Sequence, residues 1–171
     1  TRALKTLHPG TSVWGADIDA EAIRWLQKKY EPRYGEFRLS PHVPPLPFAD
    51  GFFDFVAGIS VFTHLPEDMQ FQWLEELRRI TCPGGYLLLT TSGEKSYSQL
   101  PDELRRQVEE KGFLYLDGDY GQSISLPDFY QNTFHSLDYI RREWGRLFDV
   151  LDTQPSRLQT YQDTVLLRRR P

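Results

Sequence analysis

Two histidines and one aspartate combine a reactive side chain with a position suited to chemistry. His64 follows a short apolar run, and His135 ends a stretch rich in aromatic residues. The pKa of an unperturbed histidine, about 6.5, allows either ring to accept a proton from a hydroxyl near neutral pH. Asp17 ends a predicted strand, where its carboxylate, which only accepts hydrogen bonds, can take two donors. These residues are the first candidates for a functional site.

Each candidate also has a purely structural interpretation. His64 stands two residues before Pro66, so its side chain can instead satisfy amides at the start of the following helix. Asp17 can be a solvated acid in a turn, and the aromatic stretch before His135 can simply pin a long loop to the core. The sequence leaves these alternatives open.

Metal chemistry is not indicated by the sequence. The single Cys82 is followed by Pro83 and Gly84, which is typical of a turn, and no Cys/His spacing of a metal site occurs. The sequence therefore predicts no bound metal and no internal disulfide bond.

Length and charge limit the classes of partner. The chain has 171 residues, of which 39% are apolar, and this predicts one domain with a sizeable core. Twenty basic residues stand against twenty-four acidic ones, so no overall charge favours a nucleic acid or an anionic membrane. No long apolar run and no signal peptide are found, which predicts a cytoplasmic location.

The elements that must position these residues are best defined in the middle of the chain. Phe53 to Ile59 is an apolar run typical of a strand buried on both faces. A helix follows from Pro66, with acidic residues in its first turn and arginines in its last. Cys82 to Gly85 predicts a turn, and Tyr86 to Thr91 a second buried strand. Together they predict a strand, helix, strand unit with parallel strands.

One face of this helix is predicted to lie on the sheet because its residues recur at spacings of three and four. The mostly apolar stripe contains Gln70, Trp73, Leu74, Leu77 and Ile80.

The earlier part of the chain predicts a second strand and helix pair. Thr11 to Ala16 is a short strand, and Asp19 stands directly before a helix, where it is predicted to be the N-cap. Tyr34 to Leu39 is a further strand, and the proline-rich segment from Ser40 to Pro47 predicts irregular structure.

The later part of the chain predicts a long connection and then a hairpin. A helix ends at Gly112, and Phe113 to Thr133 is predicted to be irregular and rich in rings. Ser136 caps a helix that reaches about Leu147. Two strands, Phe148 to Thr153 and Tyr161 to Arg168, then form an antiparallel hairpin with Pro155 and Ser156 in its turn.

Four segments follow one another in the middle of the chain: LPFADGFFDFV, SVFTHL, WLEELRRI and PGGYLLLTT. In this order they resemble the middle of a class I S-adenosylmethionine-dependent methyltransferase, of the type 11/12/25-like domain. The resemblance implies an α/β, Rossmann-like methyltransferase sandwich, with a mostly parallel sheet and a C-terminal antiparallel hairpin. It also implies S-adenosylmethionine as cofactor.

The chain departs from the family pattern at its start. The family's first strand and its glycine-rich loop, which approaches the methionine part of the cofactor, have no counterpart before Arg2. We therefore expect residues 1–171 to form a single methyltransferase-like domain that is N-terminally truncated and lacks the first strand. Other domains of a longer chain are candidate partners. Residues 93–135 are expected to be an insertion that shapes the acceptor site.

The resemblance assigns cofactor roles to four residues. Asp17 matches the acid that accepts hydrogen bonds from the ribose hydroxyls, and Ile18 would pack on the adenine. Ile59 and Ser60, after the strand beginning at Phe53, would border the cofactor, at the carboxyl ends of the strands where open α/β sheets bind ligands. The acid that often contacts the adenine amino group has no clear counterpart.

The resemblance places further residues at the acceptor. Phe62 would wall the site, and Tyr130 and His135 are the polar candidates in the aromatic segment. For a hydroxyl acceptor, the catalytic bases would be His135 first and His64 second. Similar chains occur in bacteria, often beside sugar-transfer machinery, which suggests a small-molecule or saccharide acceptor and O-methylation by analogy.

Two other functions fit the predicted layout less well. A non-catalytic domain that keeps the methyltransferase scaffold for binding would explain the missing glycine-rich loop. A nicotinamide-dependent reductase shares the α/β layout, but the chain has no Tyr-x-x-x-Lys pair, and the antiparallel ending argues against it.

Overall fold

Two units with separate internal packing make up the computed structural model. The first is Thr1–Leu46 and the second is Pro47–Pro171. The structure describes residues 2–118, 127–158 and 161–171. Part of the predicted acceptor segment, residues 119–126, lies outside the described residues, and the single domain expected over residues 1–171 stays a prediction.

The first unit pairs two short parallel strands with a helix. It contains helix α1 (Arg2–Leu7), strand β1 (Trp14–Asp17), helix α2 (Ala20–Tyr30) and strand β2 (Glu36–Leu39). β1 and β2 are parallel over their whole length. The side chain of Asp19 accepts hydrogen bonds from two amides of the first turn of α2, so the predicted N-cap is confirmed.

The middle of the second unit is a parallel strand, helix, strand unit, as the sequence predicts. It comprises strand β3 (Phe53–Gly58), helix α3 (Glu67–Ile80) and strand β4 (Thr81–Ser92). β3 pairs with β4 in parallel. The apolar face of α3 is buried, and Gln70 is buried within it at 1% exposure.

The predicted turn at Cys82 to Gly85 is wrong in one respect. α3 ends at Ile80 and β4 begins at once, so these four residues lie inside the strand. β4 carries extra residues there, because Phe53 pairs with Thr81 and Phe55 already pairs with Tyr86. Tertiary pairing with β3 has thus turned a segment of turn composition into an irregularity of the strand.

The connection between β4 and the last helix is more regular than predicted. It contains helices α4 (Glu94–Tyr97) and α5 (Asp102–Lys111) and strands β5 (Phe113–Leu116) and β6 (Asn132–His135). α5 ends at Gly112 as predicted, because this residue takes a left-handed conformation, with φ of +84°. The irregular structure predicted from residue 113 onward is wrong for β5, which pairs antiparallel with β6.

The C-terminal part completes the sheet of the second unit. Helix α6 (Leu137–Glu143), capped by Ser136 as predicted, passes through a short 3-10 helix into strands β7 (Phe148–Leu158) and β8 (Gln162–Arg169). The strand order is β5-β6-β4-β8-β7, with β3 also on β4.

The predicted antiparallel hairpin is present, with two differences in detail. β8 is antiparallel to both β4 and β7, so the reversed strand is inside the sheet and β7 forms the edge. Pro155 and Ser156 lie within β7 at a shift of register, not in the connection.

The fold class is therefore α/β, as predicted, with parallel pairing of β1 with β2 and of β3 with β4, and with antiparallel strands at the C-terminal end. In the part of the chain that the structure describes, no helix has the length and apolar character needed to cross a bilayer. The core of the second unit is formed mainly by Phe62, Leu74, Ile80, Leu87, Leu89, Ile140, Trp144, Phe148, Val165 and Leu167.

Candidate functional site

Asp17 in the first unit presents an exposed carboxylate at the carboxyl end of β1. Its Oδ1 accepts a hydrogen bond of 2.9 Å from the backbone amide of Asp19. Among the described residues nothing donates to its Oδ2. The carboxylate thus stabilises the turn after β1 with one oxygen and keeps acceptor capacity on the other, which fits the hydroxyl-binding role predicted for Asp17. The neighbouring Ile18 is half-buried.

The end of β3 in the second unit is a tight turn at Ser60. This residue has a φ of +56°, a conformation that non-glycine residues seldom adopt. Two contacts stabilise it. Its backbone amide donates to Thr90 Oγ1 at 2.8 Å, and its hydroxyl pairs with the side-chain amide of Gln162, with an N–O separation of 2.8 Å. The turn leaves the side chain of Ile59 45% exposed.

His64 is half-buried and stacked on Tyr130. The ring centroids are 4.0 Å apart and the planes are inclined by 16°. Its Nδ1 lies 3.2 Å from the carbonyl oxygen of Gln131. Because a carbonyl only accepts, Nδ1 carries the proton in this contact, and Nε2 keeps a lone pair.

The surroundings of His64 also keep its ring neutral. Burial lowers the pKa of His64 below the ordinary value of 6.5, and the hydrogen bond to the Gln131 carbonyl opposes this only in part. No partner of Nε2 is found among residues 2–118, 127–158 and 161–171. A neutral, oriented imidazole with an available lone pair is the form that a general base requires.

His135 lies in a different environment, at the end of β6, with 1% exposure. Its Nε2 is 2.9 Å from Gln70 Oε1, and its Nδ1 has no partner among the described residues. Burial lowers the pKa of His135 to about 3, so the ring is neutral across the physiological range. Aromatic rings enclose it within 6 Å, those of Phe113, Tyr139 and Trp144.

The two residues predicted to line the acceptor are placed differently. Phe62 is 1% exposed and packs edge-on against Trp144, with ring centroids 5.2 Å apart. Tyr130 is half-buried and lies against His64. The structure therefore brings Tyr130 and His64 together and places Phe62 in the core.

Sequence analysis missed three polar residues that support these positions. Gln70, Thr90 and Gln162 each hold a loop residue through a side-chain hydrogen bond. Gln70 had a visible signal, because it is a polar residue in an otherwise apolar helical stripe. Thr90 and Gln162 had none, since threonine and glutamine are ordinary in strands.

Groups of three or more side chains able to hold a metal ion are not found in the described ranges 2–118, 127–158 and 161–171. The absence of a metal stays a prediction.

Comparison with protein families gives one match. Residues 1–89 match a family model described as "Methyltransferase domain". The matched region covers more than half of the chain and contains Asp17, Ser60 and His64. No curated protein matches the sequence significantly.

Solved structures share this fold at low sequence identity. A S-adenosylmethionine-dependent methyltransferase from Methanosarcina mazei aligns with a TM-score of 0.61 and 18% identity over 98% of this chain and 86% of its own. A protein from Pyrococcus horikoshii aligns with a TM-score of 0.68 and 16% identity, over 98% and 76%.

A third similar structure contains ligands. It is the 1,6-didemethyltoxoflavin-N1-methyltransferase of Burkholderia thailandensis, with bound 1,6-didemethyltoxoflavin and S-adenosylhomocysteine. The alignment has a TM-score of 0.64 and 12% identity, and covers 99% of this chain and 66% of the other.

Proposed function

The chain belongs to the S-adenosylmethionine-dependent methyltransferases, and on that premise we propose that it methylates a hydroxyl oxygen of a small molecule or saccharide. It is an enzyme, and its methyl donor is S-adenosylmethionine. The proposal concerns the acceptor and the residues that act on it.

The chemistry asks little of the protein beyond position and proton transfer. When bound, S-adenosylmethionine supplies a methyl group on a sulfonium, which an acceptor can displace in line. The chain's own residues must therefore align the acceptor, exclude water and, for a hydroxyl acceptor, remove one proton.

We assign the cofactor contacts to residues that follow two strands. The exposed carboxylate of Asp17 would accept hydrogen bonds from the ribose hydroxyls, and Ile18 would contact the adenine. In the second unit, Ile59 and Ser60 would border the cofactor. The available Oδ2 of Asp17 supports its assignment to the ribose hydroxyls. The hydrogen-bonded turn at Ser60 supports the assignment of Ile59 and Ser60.

His64 carries the proposal for the catalytic base. The observation that supports it is the contact between its Nδ1 and the Gln131 carbonyl, which leaves the lone pair on Nε2. Nε2 would accept the proton of the acceptor hydroxyl as the oxygen forms its new bond to carbon. The lowered pKa of His64 keeps this lone pair available at neutral pH.

The other residues predicted at the acceptor stay predictions. Tyr130 is the better supported, because its ring lies against the proposed base. Phe62 and His135 are both almost fully buried, which favours support over direct contact with an acceptor. Residues 93–135 are proposed to shape the acceptor site, because Gln131, directly before strand β6, lies beside His64.

The cofactor assignment is tested by calorimetric titration with S-adenosylmethionine. We expect Asp17→Ala to weaken binding roughly 10- to 100-fold, because a hydrogen bond to a charged group contributes about 1.5–3 kcal/mol. Asp19→Ser is the matched control, since serine keeps the N-cap of α2. Equal affinity of Asp17→Ala and the unaltered protein would remove the ribose assignment.

The acceptor is tested with methyl-labelled S-adenosylmethionine and a panel of free sugars, methyl glycosides and matched amines. Label that enters only hydroxyl compounds, as an ether stable to mild base, supports O-methylation. Label that enters only amines contradicts it.

The cytoplasmic location and bacterial origin suggested by the sequence also stay predictions, and cell fractionation checks the location.

A further inference from the structure

We propose that Gln70 and His135 are positioning residues that hold the turn from Phe62 to Leu65 and so orient His64. This inference rests on the proposed base role of His64. The buried pair would then influence the reaction by holding that turn, and neither side chain would contact the acceptor.

Gln70 connects the two ends of the turn. Its Nε2 donates to the carbonyl oxygen of Phe62 at 3.1 Å and to that of Leu65 at 2.9 Å. Both hydrogens of the amide are therefore used, and both go to backbone acceptors that lie on either side of His64. A buried carbonyl left without a donor costs about 1–3 kcal/mol, so these contacts strongly favour one conformation of the turn.

Strand β6 and the residue before it, Gln131, hold the rest of the turn. The amide of Thr133 donates to the Thr63 carbonyl at 2.8 Å, and the amide of Gln131 donates to the His64 carbonyl at 3.2 Å. The hydroxyl of Thr133 adds a second donor to Leu65, at 2.8 Å. Every carbonyl from Phe62 to Leu65 thus accepts a hydrogen bond from α3 or from the region of β6.

The two backbone carbonyls set which way the Gln70 amide faces, and His135 holds the amide oxygen on the other side. Because Gln70 Nε2 donates to two carbonyls, its Oε1 faces His135 Nε2, which must carry a proton to form the 2.9 Å contact. Turning the amide over would place acceptor against acceptor at both backbone carbonyls, and at His135 it would require the proton to move from Nε2 to Nδ1. The ring of His135, enclosed by aromatic side chains, therefore donates to Gln70 Oε1 and holds the amide in the orientation that serves both carbonyls.

The first experiment reads the position of His64 directly. The chain contains four histidines, so their ring signals can be followed and assigned by NMR. His135→Phe fills the space of the ring and removes the donor. His135→Gln keeps a donor, because a glutamine Nε2 reaches about as far as a histidine Nε2. We first compare thermal unfolding of both variants with the unaltered chain.

In His135→Phe we expect the pKa of His64 to rise toward 6.5, because a loosened turn exposes the ring to water. The ring-current shift that Tyr130 causes at His64 should also decrease. In His135→Gln both signals should match the unaltered protein. Unchanged His64 signals in a folded His135→Phe variant, or equal changes in both variants, would overturn the proposal. If His135→Phe does not fold, Gln70→Met removes the two donors at similar volume and takes its place.

The second experiment measures turnover with an acceptor found in the labelling assay. His135→Phe should lower kcat about 10- to 100-fold through misplacement of His64, with KM for S-adenosylmethionine unchanged, and His135→Gln should restore most of the loss. A folded His135→Gln variant with native His64 signals and no turnover would identify His135 as the base and overturn the positioning role. Failure of O-methylation itself leaves the NMR comparison intact, so the two hypotheses fail separately.

Discussion

His64 and His135 are identical side chains held by neighbouring parts of the second unit, and they have opposite surroundings. His64 follows β3 in a turn and has a stacked ring, one hydrogen-bonded nitrogen and one available nitrogen. His135 ends β6 and is enclosed by rings, with its only described hydrogen bond directed inward to Gln70. Burial lowers the pKa of both rings, but His64 is only half-buried, whereas His135 is 1% exposed.

The difference shows that a neutral imidazole is not sufficient for base catalysis. A base must reach the proton that it removes, so a lone pair directed into a packed core has no substrate to act on. A buried imidazole is better suited to hold another group, because its hydrogen bond is undisturbed by water. We therefore propose that His64 acts as the base and that His135 holds other groups in position.

The largest expected effect comes from removing the base at His64. His64→Asn keeps a donor near the place of Nδ1 for the Gln131 carbonyl but offers no basic nitrogen. We expect kcat for a hydroxyl acceptor to fall about 10²- to 10⁴-fold, the usual range for loss of a general base. Affinity for S-adenosylmethionine, measured by calorimetry, should not change.

His8→Gln is the matched control for this experiment, because His8 is an exposed histidine of the first unit. Its kcat should equal that of the unaltered protein. A His64→Asn variant that also keeps kcat within twofold would break the comparison, since neither ring would then be shown to act as a base.

The next effect concerns stability at acid pH. The pKa of His135 is about 3 in the folded protein and close to 6.5 when unfolded, so between these values the unfolded state binds the extra proton. The contribution of His135 to the free energy of unfolding is complete above about pH 6.5 and decreases as the pH falls toward 3. Between pH 7 and pH 5 the free energy of unfolding should fall by about 2 kcal/mol from this group alone.

Urea unfolding at both pH values, for the unaltered protein and for His135→Gln, isolates this contribution. Between pH 7 and pH 5 the free energy of unfolding of the variant should fall by about 2 kcal/mol less, because glutamine does not titrate. The effect of His64 protonation is common to both proteins and cancels. An equal loss in both would mean that His135 is not held neutral by burial, and its contrast with His64 would disappear.

The smallest effect comes from the ring stacked on His64. Tyr130→Leu removes an aromatic contact of about 0.5–1.5 kcal/mol, so we expect kcat to fall about two- to tenfold and the pKa of His64 to rise. Tyr130→Phe keeps the ring and loses only the hydroxyl. If the leucine and phenylalanine variants lose equal activity, the hydroxyl, and not stacking, explains the role of Tyr130.

Much of the fold could be predicted because local signals agreed with the tertiary arrangement. The charges at both ends of α3, the N-caps at Asp19 and Ser136, and the left-handed Gly112 all act over a few residues. Two features could not be predicted this way. β5 and the extra residues of β4 after Thr81 exist only because a partner strand lies beside them, and that strand is remote in sequence.

The sequence indicated which residues could form the candidate site, but it did not indicate the role of each residue. The sequence identified both histidines and ranked His135 first as the base, but the geometry supports His64. Gln70, which contacts both the turn that contains His64 and the ring of His135, was visible in the sequence as a polar residue in an apolar stripe. Its importance depends on where its amide hydrogens go, and a helical pattern does not contain that information.

Fold class, family and the residues able to do chemistry could be inferred from the sequence, because side-chain type, caps and periodicity are local properties. Which imidazole keeps an available nitrogen, and which is enclosed, could not, because burial and hydrogen-bond partners come from distant segments. His135 contacts Gln70 across 65 positions, and His64 contacts Gln131 across 67.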